Sequence, residues 1–340
     1  MKNQKKIFKM FAANKIAKTN KILVLLSLIL LTGIGALAQQ DAMYSQYMFN
    51  GLAINPAYAG TRNVLSATGL FRRQWAGKKI EGAPITETFT VDAPLPKKKT
   101  GLGFNLVNDK IGVTNTLAFD LGYAYRIKIN RYRTLSLGLQ AGIWQYRANF
   151  TDVNLSRDIV SQQDEAFQNN INRWDPNFGF GAYYYSKIFY AGISLPHLIN
   201  NKLISKQNNA NSAYSYLSDS EKARQFRHAF FTMGYLMKFP KKYIKLKPSI
   251  LIKYVYGAPL ELDLNANLWF YEKYAVGLSI RTADAIALLL EAQASKQWRF
   301  GYSYDYSYTK LRHYNSGSHE LMIRYEFSFS KAKLLTPRYF

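Results

Sequence analysis

Past residue 60 the chain is written with a period of two. Trp298, Phe300, Tyr302, Tyr304, Tyr306 and Tyr308 alternate with Arg299, Gly301, Ser303, Asp305, Ser307 and Thr309. Such alternation turns one face of a strand to an apolar phase and the other to a polar one. Leu117, Phe119, Leu121, Tyr123, Tyr125 and Ile127 interleave in the same way with Thr116, Ala118, Asp120, Gly122, Ala124 and Arg126. So do Ile244, Leu246, Ile250, Ile252, Tyr254 and Tyr256 with Lys245, Lys247, Ser249 and Lys253, and Leu321, Ile323, Tyr325, Phe327 and Phe329 with Glu320, Arg324, Glu326 and Ser328. The pattern predicts about 14 strands, at 64–75, 85–93, 101–108, 114–128, 132–147, 176–186, 188–196, 226–239, 244–256, 259–270, 273–281, 284–294, 297–309 and 319–329. Many reach about 10 residues, the length a tilted strand needs to cross a hydrocarbon core, whereas soluble strands average about 5–6.

The connections supply a second test, because a barrel with both termini in the periplasm alternates long outer loops with short inner turns. The wide gaps, 148–175, 197–225, 76–84 and 310–318, all follow odd-numbered strands. The tight ones, 129–131, 186–187, 240–243, 271–272 and 295–296, follow even-numbered strands, and only 94–100 is longer than a tight turn. A soluble sandwich would also alternate, but aromatics this dense on its outer face would leave large apolar patches in water. No blade repeat suggests a propeller. Polar faces bearing Asp120, Arg126, Lys245, Lys247, Lys253, Glu261, Asp263, Arg299, Asp305, Arg324 and Glu326 suit a wet lumen. The expected fold is all-β, a transmembrane antiparallel β-barrel spanning 61–330.

Composition narrows the classes further. The chain has 340 residues, 45 Lys and Arg against 21 Asp and Glu, and no cysteine, which excludes disulfide scaffolds and thiolate metal sites. The first 38 residues read as an export signal: Lys2, Lys5, Lys6, Lys9, Lys15, Lys18 and Lys21 without an acid, an apolar run from Ile22 to Leu31, and Ala36-Leu37-Ala38 before Gln39. Removing those seven lysines lowers the formal charge from +24 to +17, so the mature chain is still basic.

Residues 39–60 lie between the export signal and the first strand and read as a plug or lid in the barrel mouth. They are rich in apolar side chains and end in Asn55-Pro56 and Gly60. Tyr44, Tyr47, Phe49 and Tyr58 would be costly to leave in water. The words Ser45-Gln46-Tyr47-Met48-Phe49-Asn50 and Leu52-Ala53-Ile54-Asn55-Pro56-Ala57-Tyr58-Ala59-Gly60 closely resemble the opening signature of the PorP/SprF family of the type IX secretion system, and a more diffuse resemblance runs over the mature chain. Gly51 stands where many relatives carry Pro, a departure expected to loosen the turn. The resemblance implies an outer-membrane barrel without catalytic activity or cofactor. Its implied partners are secretion-system subunits in the outer membrane and periplasm, and a secreted adhesin of the kind used by the gliding machinery of Bacteroidota. The surrounding lipid and lipopolysaccharide complete the expected environment.

Under the 14-strand topology one rim collects positive charge: Lys97, Lys98, Lys99, Lys128, Arg131, Arg133, Lys187, Lys241, Lys242, Lys273 and Lys296, with Glu272 the only acid. Lys97, Lys98, Lys99, Lys241 and Lys242 are candidate docking residues for an acidic partner or peptidoglycan. The bland reading is a solvated rim whose lysines discourage strand aggregation. Nucleic-acid binding fits poorly, since the cations are scattered over turns and lumen faces and export removes the chain from nucleic acid.

Catalytic chemistry finds little footing. The chain has four histidines, His197, His228, His313 and His319, with neither zinc spacing nor a nucleophile elbow. Gly101-Leu102-Gly103 lies at a strand start, where glycine eases close backbone packing. The alternative to a secretion component is an outer-membrane pore or uptake channel for small or hydrophobic solutes, narrowed by inward aromatics such as Trp144, Tyr146, Tyr183 and Trp269. Residues 331–340, interrupted by Pro337, are expected to form a periplasmic tail.

Overall fold

A computed structural model of the chain describes residues 43–77, 80–96, 99–152, 170–199, 227–240 and 243–327. The strands are β1 (Leu65–Arg73), β2 (Ile85–Pro94), β3 (Thr100–Ile111), β4 (Thr114–Lys128), β5 (Thr134–Ala148), β6 (Ile171–Tyr185), β7 (Phe189–Leu195), β8 (His228–Tyr235), β9 (Met237–Lys238), β10 (Ile244–Val255), β11 (Glu261–Phe270), β12 (Tyr274–Arg281), β13 (Ala285–Gln293), β14 (Trp298–Ser307) and β15 (Ser318–Phe327). The two-residue β9 continues β8 along the same neighbour, β10, so the fifteen segments make fourteen staves. The break falls at buried Leu236, whose amide bonds to the Ile188 carbonyl at 2.7 Å.

Each stave pairs antiparallel with the next, and β1 pairs with β15 from Leu65↔Phe327 to Arg73↔His319, which closes the ring. Closure leaves no edge along the ring, the condition for β-structure in a hydrocarbon phase. The period-two pattern resolves into two faces. On β4, Asp120 is 3% exposed and Leu121 67%. Around the barrel Leu121, Leu139, Ile193, Leu278, Ile323 and their neighbours form an aliphatic outer belt, with exposed tyrosines such as Tyr271 and Tyr274 at one end and Tyr254 and Tyr306 at the other. Aromatic side chains at both boundaries are the habit of membrane barrels.

Thirteen of the fourteen predicted strands begin and end within about three residues of the observed ones. The sixth begins five residues earlier, at Ile171, because β5 templates it along its whole length, Ala148↔Ile171 to Thr134↔Tyr185. Asp175, expected in the outer loop, therefore lies in β6. The loop-length alternation holds for the long connections, yet β3 and β4 are joined on the outer side by Gly112 and Val113 alone, with Gly112 at φ +57°. Residues 1–42 and 328–340, which hold the expected export signal and tail, lie outside the described residues.

Candidate functional site

The barrel interior is filled by its own N-terminal segment. Tyr44 to Asn50 and Ile54 to Gly60 are buried, and Tyr47, Met48, Phe49 and Ile54 pack against inward-facing Leu70, Phe230, Leu251, Trp269, Leu289 and Met322. Those apolar residues on an otherwise polar inner wall would suit water badly, and the segment accounts for them. The expected wet lumen is corrected here. Asp120, Arg126, Lys247, Lys253, Asp263, Arg299, Asp305, Arg324 and Glu326 do face inward, but they are buried. Asp263, Arg299, Asp305 and Glu326 are ion-paired, while Asp120 accepts hydrogen bonds from Trp144 and Asn177, Arg126 donates to the Gly60 carbonyl and Arg324 donates to Thr68, partners that offset the cost of a charge away from water.

The first half of the segment is held by charge. The Glu320 carboxylate accepts the backbone amides of Ser45 and Gln46, each at 2.9 Å. The Ser45 hydroxyl donates to Asp305 at 2.5 Å and accepts from Arg72 at 2.8 Å and Arg281 at 3.1 Å, which uses its one donor and both acceptors. Arg72 also pairs with Asp305 at 2.8 Å and Glu320 at 3.1 Å, and Arg281 with Asp263 at 3.2 Å. These groups come from the outer ends of β1, β12, β14 and β15 and from β11. Next, the Thr90 hydroxyl donates to Asn50 at 2.9 Å. Burial beside Tyr190 and Asp263 pushes the Tyr47 hydroxyl well above the usual phenol range, so it stays neutral.

The second half is seated by shape. Asn55 caps the short turn Pro56–Tyr58: its Oδ1 accepts the Ala57 amide at 2.9 Å, and its Nδ2 donates to the carbonyls of Ala182 and Ile193 at 3.2 and 3.3 Å. Proline at the first position of the turn lacks an amide that would have gone unused there. The inner wall opposite is cut back to glycine. A Cβ on Gly138 would sit 2.2 Å from the Ala57 nitrogen, one on Gly181 2.1 Å from Asn55 Oδ1, and one on Gly101 2.2 Å from the Ala59 carbonyl. Tyr58 meets Tyr183 edge-on at 5.5 Å. Gly60, at φ +70°, turns the chain toward β1; its amide donates to Asp92 at 2.9 Å and its carbonyl accepts from Arg126. Arg62 then pairs with Glu326 at 3.3 Å. Gly51, expected to loosen the turn, instead lies under Tyr58, where a Cβ would come within 2.7 Å of the ring.

The signature residues Ser45, Gln46, Tyr47, Met48, Phe49, Asn50, Asn55, Pro56, Ala57, Tyr58 and Gly60 thus meet one continuous inner surface. Sequence reasoning did not single out Arg72, Arg281 and Glu320 as their partners, nor Gly138 and Gly181. The available signals were charges and glycines falling on the inward parity of long strands. On the opposite rim, Lys99, Lys128, Arg131, Arg133, Lys187, Lys273 and Lys296 are exposed, and Arg131 and Lys187 lie 5.7 and 5.8 Å from the Tyr132 ring centre. Glu272 is tied to Lys245. Lys97, Lys98, Lys241 and Lys242 lie outside the described residues. His319 shares a 2.8 Å hydrogen bond with Tyr302 on the outer face, whereas His197 is buried edge-on to Trp144 at 4.1 Å.

Several solved outer-membrane structures are similar to this one. The CymD monoaromatic hydrocarbon channel shares 11% identity at a TM-score of 0.47, covering 87% of this chain and 95% of that one. A Pseudomonas aeruginosa FadL homologue shares 10% at 0.44, covering 86% and 96%, and Acinetobacter baumannii Omp33 shares 7% at 0.42, covering 78% and 98%. No curated protein matches the chain. The family model described as type IX secretion system membrane protein PorP/SprF matches residues 36–325, which takes in the interior segment and nearly the whole ring of strands. With a closed ring, a lipid-facing belt and this match, the chain belongs to the PorP/SprF family of type IX secretion system membrane proteins, and its place is the outer membrane.

Proposed function

We propose that the protein is a non-enzymatic component of the secretion system whose barrel is a plugged scaffold. In this role it supports export or surface attachment of a large adhesin of the gliding type and docks periplasmic machinery at its cationic rim. The observation that carries this reading is the filled interior. A segment bonded to residues of β1, β2, β6, β7, β14 and β15 leaves the middle of the barrel packed with side chains, a poor design for a solute path. The cationic rim, with Lys99, Arg131, Arg133 and Lys187 exposed, supports docking of an acidic partner by many weak long-range charges.

Two measurements test it. In planar bilayers the purified barrel is expected to show closed or very small conductance, and deletion of the gene should abolish surface display of one adhesin. A steady ohmic current with display intact would favour the channel reading instead. For the rim, changing Lys97, Lys98, Lys99, Lys241 and Lys242 together to Glu should weaken retention by periplasmic subunits, and unchanged co-purification would remove the docking role.

A further inference from the structure

The inner rim is not uniform around the ring. On one side, the short turn between β11 and β12 carries Tyr271, stacked on Tyr243 at 5.2 Å, and its Glu272 is tied to Lys245. On another, the turns joining β4 to β5 and β6 to β7 present Arg131, Arg133 and Lys187, all exposed. No Asp or Glu occurs in 121–151 or in 176–218, so neither hairpin supplies a carboxylate at this end. A counter-charge for these three cations has to come from elsewhere.

The two turns hold the cations in one place. In the first, the Ile129 amide bonds to the Arg133 carbonyl at 3.0 Å, and Asn130 Oδ1 accepts the amides of Tyr132 and Arg133 at 2.9 and 3.0 Å. In the second, the Ser186 amide bonds to the Phe189 carbonyl at 2.8 Å, and Ser186 Oγ accepts the Phe189 amide at 3.1 Å. Side chains bonded to their own turn backbone fix its shape. The register of β5 on β6, carried on from Thr134↔Tyr185, brings Tyr132 level with Lys187. The Tyr132 ring therefore links the two hairpins, with the Arg131 guanidinium carbon 5.7 Å and Lys187 Nζ 5.8 Å from its centre. A ring attracts a cation without neutralising it, so two full positive charges share one tyrosine.

The same corner is continuous with the lipid-facing belt. Ile129 and Arg133 extend the β4–β5 register by one pair beyond Ile127↔Leu135, on the outward face. Tyr125, Ile127 and Leu137 are exposed on that face, and Ile129 and Tyr132 are exposed at the turn itself. The apolar surface thus runs into three cations at the level where the inner leaflet gives way to water.

We propose that Arg131, Tyr132, Arg133 and Lys187 hold the phosphodiester of an anionic phospholipid of the inner leaflet, with its acyl chains along Ile129, Ile127 and Leu137. The unbalanced charge calls for a headgroup with a phosphate and no amine, as in phosphatidylglycerol. The outward aliphatic side chains beside Arg133 call for a ligand that brings its own hydrocarbon, which an acidic polypeptide does not. The inference is independent of the docking role, whose test leaves Arg131, Arg133 and Lys187 in place.

Purified full-length protein in mixed micelles containing equal phosphatidylglycerol and phosphatidylcholine tests the site, with retained lipid counted by native mass spectrometry. Phosphatidylglycerol is expected to be retained in clear preference. Arg131→Gln combined with Lys187→Gln should lower the ratio of the two lipids about tenfold, and Tyr132→Ala, which keeps every cation, about threefold. Lys273→Gln combined with Lys296→Gln, on other turns of the same rim, should leave the ratio unchanged, and heat-modifiable gel mobility checks that each variant folds. Equal retention of both lipids, a ratio indifferent to Arg131 and Lys187, or one lowered as much by the Lys273 and Lys296 pair would overturn the site. Displacement of phosphatidylglycerol by millimolar inorganic phosphate or by poly-glutamate would overturn the lipid as its ligand, in favour of a bare phosphate or an acidic protein.

Discussion

The two halves of the interior segment are fixed by different physics. Around Ser45 the contacts are hydrogen bonds and ion pairs drawn from Arg72 and from residues more than 200 positions away, Asp305, Glu320 and Arg281. Around Ala57 the contacts are steric, a small residue against a wall reduced to glycine at Gly138, Gly181 and Gly101. The charged end can be loosened group by group, because each partner has others to fall back on. The shaped end has no such reserve, since a backbone atom cannot move aside as a side chain can. The lesson is that a segment inside a barrel needs directional anchors to define its register and cleared volume to define its depth.

Gly138→Val should therefore have the largest effect of any single change. Its Cβ would meet the Ala57 backbone, so the segment should come out of its seat, and limited proteolysis should cut within 43–63 where the unsubstituted protein resists. Intact resistance would show that the wall yields. Arg72→Met comes next. It strips the shared counter-charge from buried Asp305 and Glu320 and should cost about 3–5 kcal/mol in detergent unfolding, with most of that recovered on adding Asp305→Asn and Glu320→Gln. Failure of the triple variant to recover would mean that packing, not charge, carries the outer end. Ser45→Ala removes a hydroxyl with three partners and should cost about 1–3 kcal/mol in the same assay. Thr90→Val, which takes one donor from Asn50, should cost about 0.5–1.5 kcal/mol, and an effect as large as that of Arg72→Met would contradict the division drawn between the ends.

Much of the barrel was legible in advance because its two solvents impose opposite demands on alternate residues. The alternation predicts β4 at 114–128, as observed, and the aromatic run from Trp298 to Tyr308 faces outward as its parity requires. The start of β6 at Ile171 departs from the expected 176, since Asn172, Arg173, Asp175 and Asn177 break any simple alternation and their strand exists through pairing with β5. The signature residues stood out as a segment to be buried, yet their partners did not, because nothing local connects Ser45 to Glu320 across 275 positions. Gly138 and Gly181 offer only their inward parity on long strands as a signal; in a strand alone glycines are weak points.

From its pattern alone the chain determined that it closes into a barrel between lipid and a polar interior, because period-two alternation over long strands has few other stable outcomes. It also marked the residues of the interior segment, through a motif too apolar to sit in water. The tertiary structure decided where that segment goes, which charges meet it, and that β6 outruns β7. Those outcomes depend on register around a closed ring, where each strand's position is set by its neighbours and the ring must meet itself between β15 and β1.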